Sequence, residues 1–424
     1  GAALWPLGGL GGVVATLPFY LFSRQLGGQA VSPTEATLLL TALGVGARAA
    51  WERRAAAEVG VGKPAGWRRF DRPVALFLAA ALLSLLATEY LRLSLRELRT
   101  LIVEPVLFFF LLRGVVRTPT DARRLVDVLS VVVSMVAVLA VAQFFLGGAV
   151  TDVQGVRRVQ GTYTSPNHLA LLLGRVLPFL LALAWLVPRL RLLRLGAAAL
   201  CGLALLLTFS VGGWLGTSLG VLLVVGLIGG RRPLITLLVA GVLAGGVVLT
   251  IAPVERLAGR LDPTRGTGLV RAQLWQAAGE LVREHPVLGI GLDNFLYRYP
   301  ELLPPTTGME PNLSHPHNLV LQFWLQLGLL GVVALGWLLV AATRALWPHV
   351  GEAAPPASRA LAVGAIGSLA DFAAHGAVDN SYFLVDMAYV FWLTLAVASA
   401  LPSNRQPPDS RLPSDVQSPS AAPT

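Results

Sequence analysis

Charged residues are scarce in this sequence. They make up 13% of the 424 residues, whereas 55% are hydrophobic and the mean hydropathy is +0.67. A soluble domain usually carries about 25% charged residues. The deficit excludes an ordinary cytosolic enzyme and a disordered protein, and it indicates a chain that lies mostly in lipid.

Cysteine and lysine are almost absent. The single cysteine, Cys201, lies in an apolar run, which excludes an internal disulfide and a cysteine-based metal site. Lys63 is the one lysine among 33 basic residues, and 23 acidic residues oppose them, so arginine carries nearly all of the net charge of +10. Residues 1–10 have no basic region and no small-residue cleavage pattern, so we expect no cleavable signal peptide.

The sequence contains many long apolar segments. A bilayer-spanning helix needs about 20 mostly apolar residues. The sequence therefore predicts an all-α, polytopic integral membrane protein with about twelve transmembrane helices. The predicted spans are residues 4–22, 34–50, 73–89, 99–116, 125–146, 166–187, 193–210, 213–230, 233–252, 317–343, 359–376 and 382–401.

The basic residues predict the orientation of these spans, because cytoplasmic loops carry an excess of them. With the N-terminus inside, the inside segments hold twenty basic residues and the short outside loops hold six. Both termini are then cytoplasmic, and the one long loop faces outside. The predicted domains are transmembrane helices 1–9 (residues 1–252), a periplasmic loop with amphipathic helices (253–316), transmembrane helices 10–12 (317–401) and a disordered cytoplasmic tail (402–424).

The outside loop contains a predicted amphipathic helix over residues 269–284, with apolar residues at helical spacing. Arg271 and Trp275 lie one turn apart on a neighbouring face. Arginine binds phosphates through a planar, bidentate fork, and an outside surface does not need basic residues for topology. Lipid headgroups or acidic partners explain most outside arginines equally well, whereas a functional role is favoured for Arg271.

The segment Ser314-His315-Pro316-His317-Asn318 precedes an apolar helix. We expect Ser314 to cap that helix, with Pro316 in its first turn. His317 then lies at a helix N-terminus at the outer membrane edge, which favours a neutral imidazole that can accept a proton from a hydroxyl. The same helix end suits a phosphate. The alternative is that both histidines only cap the helix.

A metal site is not expected. Asp293, Glu301 and Glu310 are available in the loop, but their spacing matches no known ligand pattern, and the chain has no Asp-x-Asp pair. Ionisable residues inside spans are costly and often functional, but a single sequence does not pair them, so a structural role stays open. These residues are Glu104, Arg175, Asp371 and Asp386.

Four blocks of sequence occur in an order typical of one known family. They are residues 164–170 (TSPNHLA), residues 271–275 (RAQLW) with 285–295 (HPVLGIGLDNF), His317-Asn318 followed after nine residues by Gly-Leu-Leu-Gly, and residues 378–383 (VDNSYF). Together they resemble the O-antigen ligase and polymerase family.

The resemblance implies a glycosyltransferase of the GT-C type in the bacterial inner membrane. It would move a glycan from undecaprenyl diphosphate to a lipid A core sugar on the periplasmic side, with inversion and without a metal or another cofactor. The family's essential histidine maps onto His317 and its loop arginine onto Arg271, with Arg265 as a second candidate. The further candidates for binding the diphosphate or substrate are Arg158, Asn318, His315, Trp275, Asn167, Asp379 and Asn380.

One position departs from the family. Relatives often have Ser-Arg-Gly where this chain has Ser210-Val211-Gly212, and that arginine is implicated in holding the diphosphate. Val211 has no charge, so Arg158 or another loop arginine would have to substitute for it.

Several functions remain open at this point. No residue separates a ligase from a polymerase of O-antigen or exopolysaccharide, and a protein O-oligosaccharyltransferase of the same family fits as well. A lipid-glycan transporter is an alternative from a different functional class. Transporters tend to have internal repeats, and the two halves of this sequence show none. A third alternative is a non-catalytic assembly partner, but it would give the His-Asn motif no function. The partners expected are the lipid-linked donor, a saccharide acceptor and the bilayer, and not nucleic acid.

Overall fold

The described part of the chain is almost entirely helical. The computed structural model describes residues 6–26, 29–57, 69–147, 150–153, 156–233, 235, 266–303 and 313–402. The helices are α1 (Pro6–Thr16), α2 (Pro33–Ala57), α3 (Asp71–Ser84), α4 (Leu91–Glu97), α5 (Glu104–Val115), α6 (Pro119–Leu146), α7 (Pro166–Leu186), α8 (Arg191–Leu207), α9 (Val211–Gly229), α10 (Gly266–Glu284), α11 (Phe295–Arg298), α12 (Leu319–Leu346), α13 (Pro356–Gly376) and α14 (Val385–Ala400), and a π-helical segment, Leu98–Val103, joins α4 to α5.

Two short antiparallel hairpins interrupt this helical pattern, and the all-α prediction did not include them. One pairs β1 (Arg24–Leu26) with β2 (Gln29–Val31), and the other pairs β3 (Val150–Val153) with β4 (Val156–Val159). Both lie in connections between helices and leave the helical architecture intact. The chain is therefore a mostly helical protein, as predicted.

Four of the described helical segments are long and apolar enough to cross a bilayer: Pro119–Leu146, Pro166–Leu186, Val211–Gly229 and Leu319–His349. Two shorter apolar segments, Pro6–Phe19 and Val385–Ala400, accompany them. These segments identify an integral membrane protein. The count of twelve spans, the orientation and the domain boundaries stay predictions, since most of the span 233–252, residues 253–265 of the loop and residues 403–424 of the tail lie outside the described residues.

Helix α7 lies in the middle of the helix packing, and its mostly apolar residues are buried on every face, as expected for a buried helix. Ser165 caps its N-terminus and Pro166 occupies its first position. Helix α13 packs closely against α7 through small residues: a Cβ added at Gly364 would lie 2.7 Å from Phe179 Cδ1, and one at Gly367 would lie 2.7 Å from Pro178 Cβ. Small residues let helix backbones approach in this way inside membranes.

A buried ion pair joins α7 to α13. Arg175 Nη1 donates to Asp371 Oδ2 at 3.1 Å, and both side chains are buried. Arg175 Nη2 donates to Ser381 Oγ at 2.7 Å and to the Ser381 carbonyl at 3.2 Å. Thr217 Oγ1 of α9 donates to Asp371 Oδ1 at 3.3 Å. The pair thus fixes three helices and the connection between α13 and α14.

The other ionisable residues inside predicted spans also have partners. Glu104 lies 3.4 Å from Arg99 Nη1 and accepts from Tyr389 Oη at 3.4 Å. Asp386 contacts His168 Nε2 at 2.8 Å and accepts from Tyr163 Oη at 2.7 Å. The structural role that the sequence left open is therefore the one observed for Glu104, Arg175, Asp371 and Asp386.

Helix α12 bends where the glycine of the His-Asn motif occurs. Gly328 has φ of +66°, and a Cβ at this position would lie 2.0 Å from the Val287 carbonyl oxygen. The Val287 carbonyl accepts from Leu329 N at 3.1 Å, and the Pro286 carbonyl accepts from Trp324 Nε1 at 2.8 Å. The loop after α10 thus binds to α12 at its kink, which only glycine permits.

We predict that Arg175→Met lowers the free energy of unfolding by about 3–5 kcal/mol, because it leaves the Asp371 carboxylate buried without its cation. Unfolding in mild detergent measures the effect. The double variant Arg175→Met, Asp371→Leu is the matched control and should be less destabilised than Arg175→Met alone. An unfolding midpoint of Arg175→Met equal to that of the wild type would contradict this account.

Candidate functional site

A hydrogen bond between His317 and Asp379 forms the centre of the candidate site. His317 Nδ1 lies 2.9 Å from Asp379 Oδ1, although 62 positions separate the residues in the sequence. His317 lies two residues before α12, which begins at Leu319, and Asp379 lies in the connection between α13 and α14. The site therefore forms where the ends of three helices meet.

The start of α12 differs from the prediction. Ser314 was expected to cap the helix, but Asn318 is the N-cap: its Oδ1 accepts from Leu321 N at 3.0 Å. Ser314 Oγ lies 3.2 Å from His315 Nδ1 instead. His317 has φ of +50°, a left-handed conformation that ends any helix before it. The helix begins at Leu319, so His317 lies just outside it and is turned towards Asp379.

Two further histidines approach Asp379. His315 Nε2 lies 3.8 Å from Asp379 Oδ1, and His375 Nε2 lies 4.0 Å from Asp379 Oδ2. Burial raises the pKa of the Asp379 carboxyl, but the neighbouring imidazoles, His317 foremost, outweigh it and hold that pKa well below its usual range. Asp379 is therefore a carboxylate at neutral pH, and its hydrogen bond with His317 requires the hydrogen to be on Nδ1.

His315, His317 and Asp379 form a group that could hold a metal ion. One ligand atom from each lies within 4.8 Å of the others. The sequence contained no such pattern, because the carboxylate comes from a distant segment and not from Asp293, Glu301 or Glu310. The donor set of two imidazoles and one carboxylate suits a divalent transition metal. The same atoms also satisfy one another without an ion, since His317 is bonded to Asp379.

The connection that carries Asp379 is held rigidly. Asn380 Nδ2 donates to the Phe383 carbonyl at 3.1 Å, and Asn380 Oδ1 accepts from Phe383 N at 3.0 Å. Asn380 N donates to Asp379 Oδ1 at 2.8 Å. Asn318 Nδ2 donates to the Ala377 carbonyl at 3.1 Å, which ties the start of α12 to the end of α13. Asn318 and Asn380 thus shape the site, and their predicted contact with substrate stays a prediction.

Arg271 lies on α10, close enough to the buried His375 ring for its charge to act on that imidazole. Its guanidinium has no hydrogen bond and no ion pair within the part of the chain that the structure describes. The predicted amphipathic helix is confirmed, because Leu274, Ala277 and Leu281 are buried along one face. Trp275 is 37% exposed, and among the described residues no polar or ring contact joins it to the histidines.

Arg158 and Asn167 meet at the same end of the bundle. Arg158 Nη2 donates to Asn167 Oδ1 at 2.7 Å, and Arg158 Nε donates to the Thr208 carbonyl at 2.7 Å. Both residues thus tie the turn between α8 and α9 to the start of α7. A role of either in diphosphate binding stays a prediction, and Arg265 lies outside the described residues.

The start of α9 lies against the His375 ring. A Cβ added at Gly212 would lie 2.8 Å from Val378 Cγ2 and 3.1 Å from His375 Cδ2. The position of Val211 is thus next to the candidate site.

His375 and His168 were missed as site residues by the sequence. His375 is fully buried, and neither ring nitrogen has a hydrogen-bond partner in the described part of the chain. His168 stacks on Tyr163 with centroids 4.1 Å apart and bonds to Asp386. The signal for His375 was its position one helical turn before Asp379, but the sequence pattern that drew attention there began only at Val378.

We predict that stability falls as the pH is lowered from 7.5 to 5.5. Burial lowers the pKa of His315 below 6.5, the nearby His317 and His168 lower it further, and Asp379 only partly opposes this. Below pH 6.5 the unfolded chain takes up a proton that folded His315 resists, so stability is lost as the pH falls. Thermal unfolding at pH 7.5, 6.5 and 5.5 measures this slope, and His315→Asn should flatten it. An identical slope in the variant would rule out this origin.

Two comparisons with known proteins bear on the family of this chain. No curated protein matches the chain in sequence. The Wzy_C family model, described as O-antigen ligase, matches residues 196–336. The matched segment contains Arg271, His317 and Asn318, and it ends before Asp379. Over this segment, about a third of its length, the chain is similar to the O-antigen ligase family.

Proposed function

We propose that this protein is a membrane glycosyltransferase that moves a glycan from undecaprenyl diphosphate to a saccharide acceptor on the periplasmic face, as in ligation of O-antigen to lipid A core. The observation that carries the proposal is the hydrogen bond between His317 and Asp379 at the start of α12. The family match over residues 196–336 supports the reaction class, and the proposed architecture is a GT-C-type fold in the bacterial inner membrane with both termini cytoplasmic.

His317 is the proposed base. Because Nδ1 holds the hydrogen that bonds to Asp379, the Nε2 lone pair is left to accept a proton. The acceptor hydroxyl attacks the anomeric carbon, its proton passes to Nε2, and the bond from that carbon to the diphosphate oxygen breaks. Attack on the face opposite the leaving group inverts the anomeric configuration. Asp379 orients the ring and stabilises the imidazolium that forms.

Arg271 is the proposed partner of the leaving diphosphate. Its guanidinium has no acidic partner in the described part of the chain, and its charge acts on His375, whose Nε2 lies 4.0 Å from Asp379 Oδ2. Charge that develops on the leaving oxygen is stabilised by a preorganised cation in a site that excludes water. Arg158, held by Asn167 and Thr208, lies at the same end of the bundle and is the second candidate.

We expect His317→Ala to lower glycan transfer by at least about 10²-fold, because general base catalysis contributes 10²- to 10⁴-fold. Asp379→Asn should lower transfer as well, because the amide no longer holds His317 in the tautomer whose hydrogen is on Nδ1. Transfer is read on a lipopolysaccharide gel after expression in a ligase-null strain. His349→Gln, at the other end of α12, is the control and should leave transfer unchanged. Normal transfer by His317→Ala at equal protein level would end the base assignment.

Chelation tests whether His315, His317 and Asp379 work without a metal, as we propose. Transfer in membrane vesicles should be unchanged by EDTA, because His317 must keep its Nδ1 hydrogen bonded to Asp379 to act as base. Loss of transfer with EDTA and its recovery with one divalent metal would instead assign these three residues as metal ligands.

We expect Arg271→Gln to lower transfer by about 10²- to 10³-fold, the usual effect of removing one group that stabilises transition-state charge. Arg271→Lys keeps the positive charge but lacks the planar guanidinium that binds two oxygens at once, so it should retain part of the activity. Arg283→Gln, an exposed arginine on the same helix, is the matched control and should stay within about twofold of wild type. Equal losses in Arg271→Gln and Arg283→Gln would show a general effect of charge on α10.

The acceptor is identified by the strain that the gene rescues. Restored capping in a ligase-null strain indicates lipid A core as acceptor, and restored ladders in a polymerase-null strain indicate another lipid-linked repeat. Glycosylated protein in place of either indicates a protein O-oligosaccharyltransferase. A failure of all three, with lipid-linked glycan crossing the bilayer of vesicles, would overturn the proposal in favour of transport.

A further inference from the structure

A cavity of about 170 Å³ lies between the C-terminal ends of α5 and α14. Helix α14 begins just after the connection that carries Asp379, and its 16 residues rise about 24 Å. The cavity therefore lies at the end of α14 away from the candidate site. Arg113 and Arg117 are its basic residues, and its apolar walls include Leu112, Val116, Ala396 and Ala400.

Contacts with Asp71 and two phenylalanine rings hold the Arg113 side chain in place. Its side chain is 9% exposed, and Nη1 pairs with Asp71 at the start of α3. The guanidinium carbon lies 5.5 Å from the ring centroids of both Phe109 and Phe110. Nε is buried and has no hydrogen-bond partner within the described residues. Arg113 therefore lines the cavity with a guanidinium whose position is fixed by its neighbours.

Arg117 adds a positive charge that the cavity does not neutralise. The Asp71 carboxylate offsets the charge of Arg113, whereas the exposed Arg117 side chain has no ion pair with any described residue. The nearest acidic residue in sequence, Asp121, pairs with Arg124 at 3.4 Å. Two guanidinium groups beside one carboxylate favour a ligand with a single negative charge, and arginine forks match phosphate oxygens.

The surroundings favour a lipid over a soluble anion. The cavity lies at the ends of two apolar helices, where phospholipid phosphates are found. Phe110, whose ring lies beside Arg113, is 44% exposed on the outside of α5, as expected for a side chain that faces acyl chains. The lining of the cavity itself is mostly polar, as suits a headgroup, and Ser399 lies in it beside the two arginines.

We propose that this cavity binds the phosphodiester headgroup of an anionic phospholipid, with Arg113 and Arg117 as the phosphate-binding residues. The bound lipid would join the ends of α5 and α14. Because positive residues favour the cytoplasmic side, the lipid is one of the inner leaflet. The site is separate from the proposed transfer reaction, so neither depends on the other.

The test uses the full chain, purified in a neutral detergent and delipidated. Dioleoyl phosphatidylglycerol, dioleoyl phosphatidylcholine and inorganic phosphate are titrated separately, and bound lipid is counted by native mass spectrometry with the thermal unfolding midpoint as a second readout. We expect phosphatidylglycerol to bind and to raise the midpoint, since a ligand of the folded state stabilises it. Phosphatidylcholine and inorganic phosphate should bind at least about tenfold more weakly.

The variant Arg117→Gln should lose about tenfold in affinity for phosphatidylglycerol, because it removes one charge-assisted contact. Arg117 is exposed, so the variant should fold. Arg124→Gln is the matched control: its side chain is 63% exposed, pairs with Asp121 and does not line the cavity. It should bind phosphatidylglycerol as the wild type does.

Three results would overturn the proposal. The first is equal binding of phosphatidylglycerol and phosphatidylcholine, which would remove charge as the basis of recognition. The second is equal affinity for phosphatidylglycerol in the wild type and Arg117→Gln, or an equal loss in Arg117→Gln and Arg124→Gln. The third is stabilisation by inorganic phosphate without stabilisation by phosphatidylglycerol, which would assign the cavity to a soluble anion.

Discussion

The buried guanidinium of Arg175 is the constraint on which the candidate site depends. A charge in the middle of a helix bundle is tolerated only with a partner, and Asp371 supplies it. Nη2 of the same guanidinium donates to the hydroxyl and the carbonyl of Ser381, two residues after Asp379. The packing of α7 against α13 therefore helps to fix the position of the Asp379 carboxylate, through Arg175 and Ser381. The loop does not fix it alone.

The site gains further precision from contacts between helix ends. Asn318 caps α12 with one side-chain atom and bonds to the end of α13 with the other. Gly212 lets α9 approach Val378 and His375 within van der Waals contact. Each contact joins segments that are distant in sequence. The catalytic role proposed for His317 needs this support, because a small displacement of a positioned group costs much of its effect.

The sequence predicted the local features of this molecule and not its pairings. The periodicity of residues 269–284 predicted α10 because one apolar face is a local property. His317 was found through its neighbours in the chain. Asp379 was placed among the substrate-binding residues, but its contact with His317 spans 62 positions. The choice of Asn318 over Ser314 as the cap also escaped prediction, because both residue types cap helices well and only the left-handed backbone of His317 decides between them.

The surplus of arginine has a different meaning in different parts of the molecule. Arg175, Arg99 and Arg194 pair with buried or half-buried carboxylates, so their charge serves the packing of helices. Arg271 differs from them, since no carboxylate in the described part of the chain offsets it. The one carboxylate of the neighbouring cluster, Asp379, is already bonded to an imidazole. The proposed binding of a diphosphate leaving group rests on this balance: a guanidinium without a carboxylate partner among the described residues, and a carboxylate whose charge is shared with histidine.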